Sequence, residues 1–222
     1  MYAIAIDGPS GSGKSTLAKA LSKELGCLYI DTGAMYRTIG LYAKKNGIDP
    51  KDENTLKSHF DNINLALEWI DGSQHIFLNG EDVSGQIRTP EMSMYASAVS
   101  ALSEVRLFLL DKQRDFSKKY NVIMDGRDIG TVVLPNANVK IFLKADNTER
   151  AKRRYEELIL KGEKVTLEEV LSDMNERDKN DSTRKTAPCV PAEDAVLLDN
   201  SGFLPEETLR KALEIINGKL GN

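Results

Sequence analysis

Two cysteines, Cys27 and Cys189, are too few to frame a disulfide-stapled fold, and neither sits in a CxxC or Cys/His spacing that could hold zinc. Both read as buried or idle thiols. Histidine is equally scarce: His59 and His75 are the only two, and they read as surface residues rather than catalysts. No apolar run approaches the length that spans a bilayer. Met1 leads straight into a strand-like segment instead of a charged leader, so no targeting signal is expected and the protein reads as cytoplasmic. Low-complexity tracts are missing too, which predicts a chain folded almost throughout. The net charge of -4 argues against a broad nucleic-acid surface, because a long polyanion needs a large basic footprint. Positive charge instead gathers around Arg150 to Arg154 and around Arg177 to Lys185, a distribution suited to small phosphorylated ligands.

At 222 residues the chain suits one domain with small appendages. Five short apolar runs read as strands: Tyr2 to Ile6, Leu28 to Ile30, Val122 to Met124, Val139 to Leu143 and Val196 to Leu198. Helical stripes lie between and after them, with Leu17, Leu21 and Leu25 in one and Leu209, Leu213, Ile216 and Leu220 in another. This alternation predicts an α/β fold, a parallel sheet covered by helices on both faces. From about Asn64 to Arg88 the rhythm changes, and Ile76 to Leu78 runs into Asn79-Gly80, a hairpin signal that predicts a small antiparallel insertion. Further on, Asp146 and Glu149 stand at capping-box spacing before a densely charged helix, with Asn147 and Thr148 as other caps. Lys161-Gly162-Glu163 breaks that helix, and Thr166 with Glu169 opens a second one towards Asp181. Two charged helices around a glycine break could form a flap.

Gly8, Pro9, Ser10, Gly11, Ser12, Gly13, Lys14 and Ser15 match the phosphate-binding loop GxxxxGK[ST], and Thr16 follows. The match leaves a predicted strand and opens a predicted helix, so backbone N–H groups and the helix N-terminus can converge on a polyphosphate. Lys14 would reach the β- and γ-phosphates of ATP, and the Ser15 hydroxyl would hold Mg²⁺. The loop alone leaves open whether a phosphoryl group is transferred, hydrolysed or merely sensed. A GTP switch would need an NKxD segment; none is present, and Lys179-Asn180-Asp181 has the order reversed.

Two further segments narrow the choice. Asp31-Thr32-Gly33-Ala34-Met35-Tyr36-Arg37 follows the second strand, and Asp125-Gly126-Arg127-Asp128-Ile129-Gly130-Thr131-Val132-Val133 follows the third. Together with the phosphate loop and Glu176-Arg177-Asp178-Lys179-Asn180-Asp181-Ser182-Thr183-Arg184, they closely resemble bacterial cytidylate kinase over essentially the full length. That resemblance implies a core sheet of strand order 2-3-1-4-5 in a single domain. It also implies a nucleoside-monophosphate region at about 34–100 that includes the insertion at about 64–88, and a lid at about 148–165. It further implies ATP and Mg²⁺ as cofactors and CMP and dCMP as substrates; no nucleic acid polymer, no membrane and a monomer are expected beside it. Arg37 and Arg127 resemble the clamps on the acceptor phosphate. Thr32, Arg106 and Asp128 resemble the readers of cytosine, and Ser97, Arg177 and Asp181 the ribose contacts, while Tyr36 and Arg184 match further substrate-side positions. Threonine stands at position 32 where some relatives carry serine, and the hydroxyl is kept.

Elementary chemistry agrees with part of this independently. Arg37 and Arg127 each follow the carboxyl end of a predicted parallel strand, where open α/β sheets bind ligands, and guanidinium meets phosphate through paired charge-assisted hydrogen bonds. Arg150, Arg153 and Arg154 admit two readings: cations that close over the transferring phosphoryl group, with Lys14 as the fourth catalytic charge, or a solvated helix face. The missing histidine base suits a phosphate acceptor, which is largely a dianion at neutral pH and needs no deprotonation. The remaining alternatives are a kinase of the same fold acting on UMP or a metabolite hydroxyl, and a nucleotide-binding regulator.

Overall fold

A computed structural model describes residues 1–221. Along the chain the elements are β1 (Ala3–Asp7), α1 (Lys14–Leu25), β2 (Leu28–Asp31), α2 (Thr32–Lys45), α3 (Glu53–Ser58), β3 (Leu65–Ile70), β4 (Ser73–Leu78) and β5 (Glu81–Asp82). Then follow α4 (Pro90–Ser100), α5 (Ser103–Ser117), β6 (Val122–Gly126), β7 (Val139–Lys144), α6 (Asn147–Leu160), α7 (Leu167–Thr183), β8 (Val196–Asp199) and α8 (Pro205–Leu220). The chain divides into two compact units, one formed by residues 1–29 with 120 onward, the other by residues 30–119. Among the described residues, no helix is long and apolar enough to cross a membrane.

In the first unit β1 is central, pairing in parallel with β6 on one side (Ile4 beside Ile123) and β7 on the other (Ile4 beside Val139), and β7 carries β8 (Ile141 beside Val196). The sheet runs β2-β6-β1-β7-β8, and numbered among themselves the five strands run 2-3-1-4-5, the hairpin strands accounting for the difference in labels. Because both faces are covered, β1 is apolar almost throughout, and Ile4 and Ile6 are wholly buried. They pack with Ile123, Ile141 and Leu143 of the sheet, Leu17 and Leu21 of α1, and Ala212 and Ile216 of α8. Reversal of strand order around β1 opens the crevice at its carboxyl end, where Asp7 leads into Gly8.

Helices α6 and α7 form a pair sealed by Ala151, Leu158, Val170 and Met174. Gly162 breaks the chain between them at φ +81°. Thr166 and Glu169 make the full capping box, each side chain serving the other's backbone N–H. At the start of α6 only half of that motif forms: Asp146 accepts from Thr148 N and Glu149 N, whereas the Glu149 carboxylate is drawn off to Gly202 N at 2.9 Å and to Arg153.

The second unit has its own core, with Met35 and Ile39 of α2 set against Leu56, Ile76, Leu78, Val83, Ile87, Val99 and Leu109. Gly40 lets α2 and α4 approach, since a Cβ there would lie 2.7 Å from Tyr95 Cβ. The insertion is a three-stranded antiparallel sheet, β3-β4-β5. Asn79-Gly80 turns β4 into β5, and a second dipeptide of the same kind, Asp71-Gly72, turns β3 into β4. All four residues have positive φ, as tight primed hairpin turns require. The two histidines are half-buried and occupied: His59 Nδ1 meets Tyr42 Oη at 3.0 Å, and His75 Nδ1 meets Asp82 at 2.7 Å.

One position bears directly on the site. Gly8 leaves β1 at φ +148°, and a Cβ added there would lie 2.1 Å from the Leu143 carbonyl oxygen. Gly8→Ala is therefore expected to lower the urea-unfolding free energy by about 2–4 kcal/mol. A loss below ~1 kcal/mol would mean that β7 yields to the added methyl group.

Candidate active site

The phosphate loop joins β1 to α1 and is braced from outside. Asp178 of α7 accepts from Ser10 N at 3.0 Å, and Arg150 of α6 donates to the Ser10 carbonyl at 2.6 Å while pairing with Asp178 at 2.5 Å. Asn200, just past β8, donates to the Ser12 carbonyl at 3.1 Å. Gly11 and Gly13 hold positive φ, and Gly13 caps α1 without any side-chain bond to its first amides. Those N–H groups and the positive end of the helix are what an anionic polyphosphate requires. Lys14 is buried, donating to the Pro9 carbonyl at 2.6 Å and to Ser12 Oγ at 3.3 Å. Burial, then repulsion from Arg127, brings its ammonium down to about 7.

Ser15 Oγ donates to Asp125 Oδ2 at 2.7 Å, and Tyr29 Oη donates to the other Asp125 oxygen at 3.0 Å. A hydroxyl beside a carboxylate near the end of a strand is a hard-oxygen pair that fits Mg²⁺, which takes one or two protein oxygens and completes its shell with phosphate and water. Among the described residues, no group of three or more His, Cys, Asp or Glu side chains is placed to hold a metal ion.

Beyond β6 the first unit gathers five of the expected substrate-side residues. Arg127 Nε donates to Asp181 at 2.9 Å, while Arg184 stands 3.8 Å from both Asp181 and Asp128. Arg177 Nη1 reaches Ser10 Oγ at 3.5 Å. Burial would raise the Asp181 carboxyl, but Arg127, Arg177 and Arg184 together hold it below the usual range.

In the second unit Asp31 caps α2. Its Oδ1 accepts from Ala34 N at 2.9 Å, and its Oδ2 accepts from Arg37 at 2.9 Å and Arg88 at 2.8 Å. Despite burial, these two cations bring its carboxyl down to about 2. Thr32, also buried, opens the helix. Arg106 lies over the Tyr36 ring at 5.5 Å and donates to the Ser100 carbonyl at 3.1 Å, and Ser100 in turn donates to the Ser97 carbonyl at 3.0 Å. Tyr36, Ser97 and Arg106 are thus brought together, with Arg37 five residues on from Thr32 along α2.

The three α6 arginines are not alike, and neither reading open from the sequence describes Arg150. It is 3% exposed and belongs to the scaffold of the phosphate loop, because the Ser10 carbonyl, Asp178 and Asn147 surround its guanidinium. Arg153 donates to the Asn200 carbonyl at 3.1 Å and pairs with Glu149, whereas Arg154 pairs with Glu157 of its own helix at 2.7 Å.

Sequence reasoning passed over Asp7, Asp125, Asp178 and Asn200. For Asp125 a signal existed, an acid ending the apolar run Val122 to Met124. Asp7 ends β1 and accepts from Ile129 N at 2.8 Å and Gly130 N at 2.7 Å, fixing the wide helical turn Ile129–Val133 that follows Arg127 and Asp128. Burial raises its carboxyl to about 6, against the lowering pull of those two amides. A folded-state value above the unfolded one contributes stability below about pH 4 that is lost as pH rises through 6. Between pH 4.5 and 7.5 the unfolding free energy of the wild type should therefore fall more steeply with pH than that of Asp7→Asn. Parallel profiles in urea titrations would assign the Asp7 proton elsewhere.

The family model for cytidylate kinase matches residues 4–218. The chain is 50% identical over 212 residues to a cytidylate kinase of Caldicellulosiruptor bescii, covering 96% of this chain and 94% of that one. It is 48% identical over 216 residues to a cytidylate kinase of Carboxydothermus hydrogenoformans, covering 97% of each. Among solved structures, an uncharacterized protein from Eubacterium ventriosum superposes with a TM-score of 0.57 at 14% identity, covering 98% of both chains, a likeness of fold alone. With the family model and relatives near half identity spanning almost every residue, the chain belongs to the cytidylate kinase family.

Proposed function

We propose that this protein transfers the γ-phosphoryl group of ATP to CMP, and to dCMP, giving ADP and the corresponding diphosphate. Family membership supports the reaction. The observation that carries it is the segment Asp125-Gly126-Arg127-Asp128, which supplies in four residues the partner of Ser15, a guanidinium paired to Asp181, and a buried carboxylate.

In this reading the amides of the phosphate loop and Lys14 hold the donor polyphosphate. An acceptor phosphate oxygen attacks the γ-phosphorus in line as the bond to the β,γ-bridging oxygen breaks, and the electron pair leaves with ADP. Since the acceptor is already a dianion, no base is needed, and the protein's work is positioning and charge stabilisation. Ser15, its hydroxyl held by Asp125, would hold Mg²⁺, which when bound neutralises phosphate oxygens. Arg37 and Arg127 take the acceptor phosphate, Arg177 and Asp181 with Ser97 its ribose, Arg184 the substrate side, and Thr32, Arg106 and Asp128 its base, with Tyr36 supporting Arg106 from below its guanidinium. Arg153 and Arg154 are the α6 cations left to serve the transferring group.

Purified protein assayed for ADP release over CMP, dCMP, UMP, AMP and GMP tests the reading, with CMP expected to lead and acceptor-independent hydrolysis to be slight. Lys14→Ala should abolish transfer and leave the far-ultraviolet circular dichroism unchanged; a loss of only a few-fold contradicts its assignment to the phosphates. Base choice has its own test. Cytosine offers an N4 donor beside an N3 acceptor, whereas uracil reverses both, so a carboxylate at Asp128 matches only the former. In Asp128→Asn the amide can face O4, and the UMP over CMP ratio of kcat/KM should rise at least about tenfold, roughly 1.4 kcal/mol, mainly through lost CMP activity. An unchanged ratio leaves base reading to Thr32 and Arg106.

A further inference from the structure

Arg88 lies just past the antiparallel insertion, in the short turn Gln86–Arg88 that leads to α4. Its Nη1 and Arg37 Nη2 converge on a single oxygen, Asp31 Oδ2. One carboxylate therefore serves two guanidiniums. Two observations point to an anion beyond Asp31. Arg37 Nε is buried with no hydrogen-bond partner, a donor that the protein itself does not satisfy. Arg88 is 44% exposed where Arg37 is 15% exposed, so the pair presents one anchored and one reachable guanidinium. Gly33 leaves room for this arrangement, since a Cβ there would already lie 3.2 Å from Arg37 Nη1. The insertion is tied to the same spot by a second bond, from Asp31 N to Gln74 Oε1 of β4 at 2.9 Å.

We infer that Arg88 is a second guanidinium of the acceptor-phosphate subsite, with Asp31 holding it beside Arg37 so that both address the phosphate of the nucleoside monophosphate. The inference rests on the acceptor reading given above. A phosphate dianion can take paired charge-assisted hydrogen bonds from two forks at once, which a neutral nucleoside cannot. The insertion thereby contributes to recognition of the acceptor's charge, while its Gln74 bond keeps Asp31 in place.

A purely architectural Arg88, one that only fastens the insertion to α2, would weaken every acceptor-side ligand alike. The test therefore separates phosphate from nucleoside. In Arg88→Ala the KM for CMP should rise at least about tenfold. The inhibition constant of cytidine against CMP, and the KM for ATP, should stay within about twofold. Arg88→Lys, which keeps the charge and loses the fork, should show a CMP KM between the two, and it carries the test if the alanine variant does not fold. Parallel weakening of CMP and cytidine overturns the inference in favour of a structural tie. An unchanged CMP KM in a wild-type background that turns over CMP overturns this role alone, whereas wild-type protein without CMP-dependent turnover overturns the acceptor reading and this inference together.

Discussion

The Lys14 ammonium is buried, and its hydrogen bonds go to a carbonyl and a hydroxyl, not to a carboxylate. Keeping a cation in that position is unfavourable until an anion arrives, which is why burial brings it down to about 7. Much of the first unit answers this constraint. The chain must leave β1 sharply enough to bring Lys14 back over the loop, so Gly8 takes a conformation and a proximity to Leu143 that no side chain tolerates. Once so shaped, the loop cannot hold itself, and Asp178, Arg150 and Asn200 brace it through the Ser10 and Ser12 backbone.

The same logic extends to the arginines. Arg127 is set against Asp181, Arg37 against Asp31 and Arg150 against Asp178, so each of these three guanidiniums has a carboxylate. Leaving any of them unpaired would cost several kcal/mol in so dry a setting, ~3–5 for a broken buried pair. Two arginines meet the single oxygen Asp31 Oδ2, and three surround Asp181. The aspartates keep these cations folded in. Arg150 differs because its pairing is saturated, with a carbonyl, a carboxylate and an amide around it, and that saturation is what makes it part of the scaffold.

How much of this could be read from residues alone follows from the range of the interactions. The five core strands, the two α6–α7 helix signals and the Asn79-Gly80 turn are local patterns, and local patterns survive without a structure. Phosphate-loop residues were legible for the same reason, since spacing within eight positions defines them. Asp7 was not, because its partners Ile129 and Gly130 lie more than a hundred positions away and its identity as an acid at a strand end is unremarkable by itself. Nor could the inward turn of Arg150 be told from its neighbours: Arg150, Arg153 and Arg154 share a run of charge, and only the helix phase against Ser10 and Asn200 separates scaffold from surface. Asp71-Gly72 is a different kind of miss, a local signal of the same strength as Asn79-Gly80 whose presence turns a hairpin into three strands.

The wide turn at Ile129–Val133 shows how these constraints meet. It follows directly on Arg127 and Asp128, and a chain that continued β6 as a strand would carry both side chains away from Asp181 and Arg184. Asp7 prevents this by accepting two successive amides, one on each carboxyl oxygen. Burial, and after it the neighbouring Asp128, oppose ionisation of Asp7, whereas the two amides and Lys14 favour it. Two backbone amides and a lysine stand against burial and Asp128, and this acid sits near 6, while Asp31, facing two arginines, sits near 2. The order of β1 between β6 and β7 makes the coupling unavoidable: the strand that delivers the phosphate loop is the one whose last residue touches the turn after β6.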